Sequence, residues 1–406
     1  MGRAMDAAGA GVIPCVDVMR AWRGCAPWGW RILARGAMVA VALAAGACGG
    51  AGAHRPPPSG PRLTGRTANA LQATLRREVS QAGIPGASAA IVFPDGREWT
   101  GVAGEAVLRP RTPMTPGTSL SFDSVTKVAV AATALRLAEQ GRLRLDDRVR
   151  RWYPDWRGDR SATLRDLLGH TSGMGNPRDS FFVALLHHPQ RRFTAREALA
   201  ATPRPGPRTH EAAYSNSAFI LLGLILRRAA GEPTASAMRR LIFAAPGGDG
   251  LALQPDERPH RPLAAPYWYP HGGAYPADAS DGGAYLPSRA WASGTSTAGA
   301  LAGDERSLAR WGHALLGGHV LRPGSLRAMT RFHHAGEEEG YGLGLTLSSI
   351  DERPMWGHTG DGHGTHTEFW HLPREDLTIA MTWNDDALDS EAPFVPSLLR
   401  VALVSR

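Results

Sequence analysis

Strand-like apolar runs occupy the two ends of this chain and helical periodicity fills its middle, so a sheet assembled from both ends is the arrangement that buries both sets of strands in one layer. Near the front, Leu71, Leu75 and Val79 recur at helical spacing over residues 67–81, and Gly83 and Gly86 stop that helix. Residues 87–93 and 97–103 flank Pro94-Asp95-Gly96, a turn signal that predicts a hairpin. The strongest helical pattern spans 125–143, bounded by polar residues 121–124 and by Gly141. Shorter helical pieces follow at 164–169, 195–202, 217–230 and 234–243. Strands return at 341–348, 355–358, 365–371 and 377–384, and residues 390–403 close the chain as a helix. The expectation is an α/β (α+β) fold, with an antiparallel sheet flanked by helices and formed by both chain ends, and an inserted all-helical region over roughly 145–290.

The chain has 406 residues, 43% of them hydrophobic and 20% charged, with 48 Gly and no Gly-x-y period, which excludes fibrous and disordered classes. Its formal charge of +8 would ordinarily suggest nucleic acid. Here 44 of the 45 basic residues are Arg, scattered rather than gathered into a stripe, and no nucleic-acid partner is expected. The one Lys is Lys127. Where background composition has turned every other cation to Arg, a surviving Lys marks a position that needs a cation able to lose its proton.

Residues 31–48 read as two arginines, an apolar run of about a dozen residues and small residues before Cys48, the pattern of a secretory signal peptide over 1–48. Ala45-Gly46-Ala47-Cys48 resembles a loose lipobox with Cys48 as the lipidated residue; ordinary cleavage near Ala47 is the alternative. The upstream segment is long for such a signal, which a start at Met19 would explain. Cys15, Cys25 and Cys48 all lie in this segment, so the body after it has no thiol and no disulfide. A secreted or cell-envelope location follows, with contact to the membrane only through the lipid anchor. Residues 49–65, rich in Gly and Pro, read as a flexible linker, and 66–406 as the folded domain.

Ser124-Val125-Thr126-Lys127 sets a hydroxyl and an amine three residues apart on one face of the predicted helix. At a helix amino end the peptide dipoles favour an alkoxide or oxyanion, and Val125, Val128, Ala129 and Val130 would desolvate Lys127 so that its neutral amine can accept the serine proton. Tyr214-Ser215-Asn216 offers a phenol for proton relay and an amide for orientation; its plainer reading is that Asn216 or Ser217 caps the next helix. His358-Thr359-Gly360 could bind a substrate carboxylate, with the glycine letting substrate backbone approach closely. Zinc at His363, His366 and His371 lacks carboxylate partners and helical spacing, so neither a metal nor any other cofactor is expected.

Taken in order, Ser-x-x-Lys, Tyr-x-Asn and His-Thr-Gly resemble the penicillin-recognising serine enzymes, and the stretches 137–146, 167–173, 297–300 and 341–345 are similar to segments of that family. Over roughly residues 66–400 the chain looks like class C β-lactamases and, more closely, secreted D-alanyl-D-alanine carboxypeptidases. The resemblance implies a β-lactamase/transpeptidase-like fold and a serine hydrolase domain. Ser124 would be the acylated nucleophile, and Lys127 and Tyr214 would share general-base and general-acid work, the first proton going to either. Asn216 would hold the substrate amide, His358 and Thr359 its terminal carboxylate, and the backbone amides of Ser124 and Asp361 the oxyanion. Asp361 departs from the small residue usual there and would weaken anionic substrates.

A carboxypeptidase acting on cell-wall peptides and binding β-lactams is therefore expected, working as a monomer on D-Ala-D-Ala peptides, β-lactams or esters. A β-lactamase, an esterase on the same fold and a catalytically idle envelope binding lipoprotein are the alternatives. Tyr267-Trp268-Tyr269 with Tyr275 could wall the cleft or equally pack a loop, and Arg289 or Arg306 could supply a cation for the substrate carboxylate.

Overall fold

A computed structural model describes residues 60–269, 276–335, 338–387 and 393–404. Residues 1–48, read above as a signal peptide with Cys48 at its end, and Tyr275 lie outside the described residues, and among those described no helix is long and apolar enough to cross a membrane. Helix α1 (Arg66–Ala82) leads into the hairpin of β1 (Gly86–Val92) and β2 (Glu98–Leu108), followed by β3 (Arg111–Pro113) and β4 (Leu120–Asp123). Helix α2 (Thr126–Glu139) opens the helical middle, in which α3 (Asn216–Ala230) is the longest member. Short strands β5 (Leu251–Leu253), β6 (Tyr267–Trp268) and β7 (Ala277–Asp278) precede α4 (Arg289–Thr295), β8 (Leu301–Gly303) and α5 (Glu305–Leu316). The chain ends through β9 (His333–Ala335), β10 (Glu338–Tyr341), β11 (Thr346–Ile350), β12 (Arg353–Gly362), β13 (Thr365–Leu372), β14 (Leu377–Trp383) and α6 (Phe394–Val404).

The main sheet has nine strands in the order β3-β2-β1-β14-β13-β12-β11-β10-β9, all antiparallel. Its centre joins the two ends of the chain, since β1 pairs with β14 from Ala87↔Trp383 to Val92↔Thr378. Every residue of β1, β13 and β14 is buried, because both faces of the sheet are covered. Alternation sorts them: Ala87, Ala89, Ile91, Ile379, Met381 and Trp383 pack under α1 and α6, whereas Ala90, Val92, Phe369 and Ala380 face the helical middle. A second sheet, β4-β8-β5, fastens that middle to the first, where Thr367 Oγ1 donates to the Ser121 carbonyl at 3.2 Å.

Three expectations change. The region 145–290 is mostly rather than wholly helical, because β5, β6 and β7 lie within it. The linker gives way to ordered chain before residue 65: Leu63 is buried and its N–H donates to the Glu98 carbonyl at 2.7 Å, since an apolar side chain among Gly and Pro gains more from the core than from water. Residues 121–123, read as a polar boundary, form the fully buried strand β4. The hydroxyl of Ser121 is accommodated there by a bond to Asp123 Oδ1 at 3.2 Å, and Thr367 supplies the donor for its carbonyl.

Strand β12 carries the third motif in its carboxyl half. Its pairing with β11 ends at Gly357↔Thr346, whereas its pairing with β13 runs on to Gly362↔Thr365. Among the described residues, 358–362 thus have one edge without a partner strand, open to an extended ligand.

Candidate active site

The nucleophile turn is built by the junction of β4 and α2. Asp123 adopts a left-handed φ of 45°, which reverses the chain before Ser124, and the helix begins two residues later at Thr126. Thr126 locks the turn, its hydroxyl donating to the Asp123 carbonyl at 2.5 Å and accepting from the Leu301 N–H at 2.8 Å. The Asp123 carboxyl is buried and accepts from Thr365 Oγ1 at 2.7 Å; burial pushes it up to about 7, against the pull of that bond and of Ser121.

Lys127 lies on the first turn of α2 and is fully buried. Its Nζ bonds to Ser124 Oγ at 2.9 Å, to Asn216 Oδ1 at 2.9 Å and to the Ala298 carbonyl at 2.7 Å. Two of these three oxygens can only accept and therefore use two N–H groups; a neutral amine then has its lone pair left for Ser124. Tyr214 approaches from the other side, its hydroxyl 2.7 Å from Ser124 Oγ and its ring centroid 4.7 Å from Lys127 Nζ. Ser124, Lys127, Tyr214 and Asn216 thus converge although about 90 residues separate the two pairs.

Ser215, not Asn216 or Ser217, caps α3: its Oγ accepts from the Ala218 N–H at 3.0 Å and donates to the Gly175 carbonyl at 2.9 Å. That frees Asn216, at the first helical position, to face Lys127. His170, which sequence reasoning placed only within a family-like stretch, braces this turn. Its Nδ1 accepts from the Ser215 N–H at 3.2 Å, and its ring lies 4.6 Å from those of both Tyr214 and Tyr341. Burial and the nearby Lys127 hold His170 well below the usual histidine range, so it stays neutral.

His358 is buried beneath the cleft with both nitrogens engaged. Its Nδ1 donates to the Thr359 carbonyl at 2.5 Å, which leaves Nε2 to accept from the Tyr341 hydroxyl at 3.1 Å. Burial, and then Lys127, lower it to about 3, so it carries no charge for a substrate carboxylate. Thr359 and Asp361 alternate with His358 and Gly360 along β12 and leave its opposite face. Asp361, 46% exposed, pairs with His366 at 2.5 Å; partial burial raises its carboxyl, but His366 outweighs that and keeps it ionised. Gly360 serves protein backbone rather than substrate backbone: a Cβ there would lie 2.3 Å from the Phe122 carbonyl oxygen and 3.3 Å from the Ser124 nitrogen.

The remaining candidates disperse. Tyr267 is buried and its hydroxyl accepts from the Leu108 N–H at 2.7 Å, which makes it a strut, while Trp268 lies 5.3 Å and Trp291 5.7 Å from the His363 ring. Arg306 pairs with Glu98 at 2.8 Å, and Arg289 is exposed at the start of α4. His363, His366 and His371 do not meet, since each packs against different neighbours.

Glu368 sits opposite Thr359 on β13, with Oε2 accepting from the Trp370 indole at 2.8 Å. Burial pushes it from 4.5 up to about 7, against the pull of His366 and Trp370. Between those values the folded protein holds a proton that the unfolded chain has released, so this group makes stability fall as pH rises through that window. Glu368→Gln removes the effect, and its melting temperature should exceed that of the parent by more at pH 8 than at pH 5. An equal offset at both pH values, in thermal unfolding followed by circular dichroism, would contradict the assignment.

The chain is similar to several known proteins. Over 152 residues the chain is 33% identical to esterase EstB of Burkholderia gladioli, covering 32% of this chain and 37% of that protein. It is 26% identical to the D-aminopeptidase of Brucella anthropi over 82% of this chain and 62% of that protein. The chain thus spans about a third of the first relative and under two thirds of the second. The D-amino acid amidase of Ochrobactrum anthropi SV3, solved with L-phenylalanine amide, shares the fold with a TM-score of 0.73 at 23% identity, over 84% of this chain and 99% of that one. The family model for Beta-lactamase matches residues 71–403, from the first core helix to the last, and the chain belongs to that family.

Proposed function

We propose that the chain hydrolyses small amide or ester substrates that lack a free terminal carboxylate, through an acyl-enzyme on Ser124. The observation that carries this is the placement of Ser124 Oγ between Lys127 Nζ at 2.9 Å and the Tyr214 hydroxyl at 2.7 Å. Ser124 Oγ attacks the substrate carbonyl carbon as its proton passes to the Lys127 amine, and the oxyanion is received by the amides of Ser124 and Asp361. Tyr214 then gives its proton to the leaving amine or alcohol as the carbonyl reforms, and Lys127 restores the phenol. Water repeats the sequence on the ester and frees the acid. Asn216 holds the substrate amide beside the open edge of β12.

Substrate class follows from charge. A terminal carboxylate gains most from a charged donor, and neutral His358 supplies none, while Asp361 on the same edge is already paired with His366 and offers no donor side chain. An amide or ester needs neither. The likenesses to a D-aminopeptidase, a D-amino acid amidase and an esterase support this choice. Export through residues 1–48 is part of the proposal.

The test compares an acylated D-Ala-D-Ala peptide with its carboxyl-terminal amide, beside D-amino acid amides and short-chain esters. We expect kcat/KM for the amide to exceed that for the free acid at least about tenfold, as the loss of one charge-assisted bond predicts. Intact-mass analysis should show an acyl adduct that Ser124→Ala cannot form. Preference for the free acid would overturn the substrate class; hydrolysis without an adduct would overturn the mechanism.

A further inference from the structure

A cluster that the reaction does not use lies at the β13–β14 turn. His371 ends the buried face of β13, directly opposite Thr378 on β14; His313 reaches the same place from the last turn of α5, and Asp376 stands in the turn. One nitrogen from each imidazole and one Asp376 oxygen all lie within 4.8 Å of one another. The Thr378 hydroxyl is 2.9 Å from His371 Nδ1 and 3.2 Å from His313 Nδ1, and His313 Nδ1 is 3.9 Å from Asp376 Oδ1. The Thr378 hydroxyl has two lone pairs, so the Nδ1–H groups of both rings can donate to it, which fixes both orientations and leaves a lone pair on the other nitrogen of each ring.

We propose that His313, His371 and Asp376 bind a divalent transition-metal ion, with zinc the best match to the ligand set. Two imidazoles and one carboxylate form an N,N,O set that suits zinc, cobalt or nickel rather than magnesium or calcium. The ligands come from a helix, a strand and a turn, so one ion would join three elements. His371 is buried and His313 is 14% exposed, whereas the Asp376 side chain is 53% exposed. Zinc takes nitrogen and oxygen ligands at about 2.0–2.2 Å, so the site must tighten, and the exposed carboxylate is the ligand free to move. Its solvent side leaves a fourth position for water. The place is distinct from the active site. His371 lies four residues along β13 from Thr367, the partner of Gly360, which is roughly 13 Å of extended chain.

The test uses the full chain, freed of metal by a chelator and titrated with Co²⁺ while the visible absorption of tetrahedral cobalt is recorded, with metal content measured after desalting. The expected result is one bound equivalent, displaced by Zn²⁺, with affinity lowered about tenfold or more in Asp376→Asn and in His313→Gln. Zn²⁺ at a hundredfold excess over the parent Kd should raise the melting temperature of the parent by roughly 3 °C and that of either variant by about half as much or less. Because Asp376 is exposed, Asp376→Asn should melt with the parent in chelator, so its loss of metal is not a loss of fold. Absence of the cobalt band, or equal binding by parent and Asp376→Asn, would overturn the site and leave a hydrogen-bonded His-Thr-His cluster.

Discussion

Replacing Lys127 by Arg should lower kcat/KM about 10⁴-fold, the upper range for a general base, and abolish the acyl adduct on Ser124. On a protein surface this substitution is conservative. Here the side chain is fully buried and faces three oxygens at 2.7–2.9 Å, one of which must give up a proton. A guanidinium has five donors and no acceptor and stays protonated at any accessible pH, so it can satisfy the carbonyls yet take nothing from Ser124. Its longer, planar head must also displace Asn216 or Tyr214. Adduct formation by intact mass, beside Ser124→Ala and with folding checked by circular dichroism, decides the matter. Acylation within tenfold of the parent would pass the base role to Tyr214.

Gly360→Ala should be the most damaging single methyl group in the cleft. Its Cβ would meet the Phe122 carbonyl oxygen at 2.3 Å and the Phe122 carbonyl carbon at 3.1 Å, backbone atoms of β4 with no rotamer into which to retreat. Relief requires β12 and β4 to part, and β12 carries Asp361 while β4 leads directly into Ser124, the two residues whose amides are proposed to receive the oxyanion. We expect a stability loss of about 1–3 kcal/mol, as for overpacking, and a fall in kcat of about 10²-fold from misplacement of the order of 1 Å. Gly175→Ala is the control: it also lines the site, through its carbonyl bond to Ser215, but a Cβ there meets nothing within 4 Å. Thermal unfolding and kcat measured on both variants separate the cases, and equal behaviour would show that the β4–β12 approach does not govern catalysis.

Much of this site is legible in sequence because its chemistry needs particular residue types at short spacing. Ser124 and Lys127 stand out through their helical offset and through a composition that leaves one lysine, and β1, β2, β13 and β14 stand out as apolar runs between turns. What escapes notice depends on distant partners. Strand β4 has only Leu120 and Phe122 as apolar signals, and its burial comes from β8 and from Thr367 and Thr365, which lie more than 170 residues further on. The third acceptor for Lys127 is the carbonyl of Ala298, and no side-chain pattern encodes a carbonyl. His358 reads in sequence as a ligand for carboxylate because nothing nearby in the chain encodes the Tyr341 hydroxyl that occupies its Nε2. Helix α5 has a legible start signal in Asp304, which caps it and accepts from the Ser307 N–H at 2.9 Å.

The join between β1 and β14 sets an order of events for the molecule's birth. Residues 87–92 wait for residues 378–383, and Asp123, just before the nucleophile, waits for Thr365, so neither pairing exists until almost the whole chain has left the ribosome. Such long loops close slowly, and β1, paired early with β2, spends synthesis with its other edge open. Under the export proposed above, that delay has a use. A polypeptide that cannot close its sheet until strand 378–383 has emerged can still be threaded through a membrane, and the proposed activity would begin on the far side.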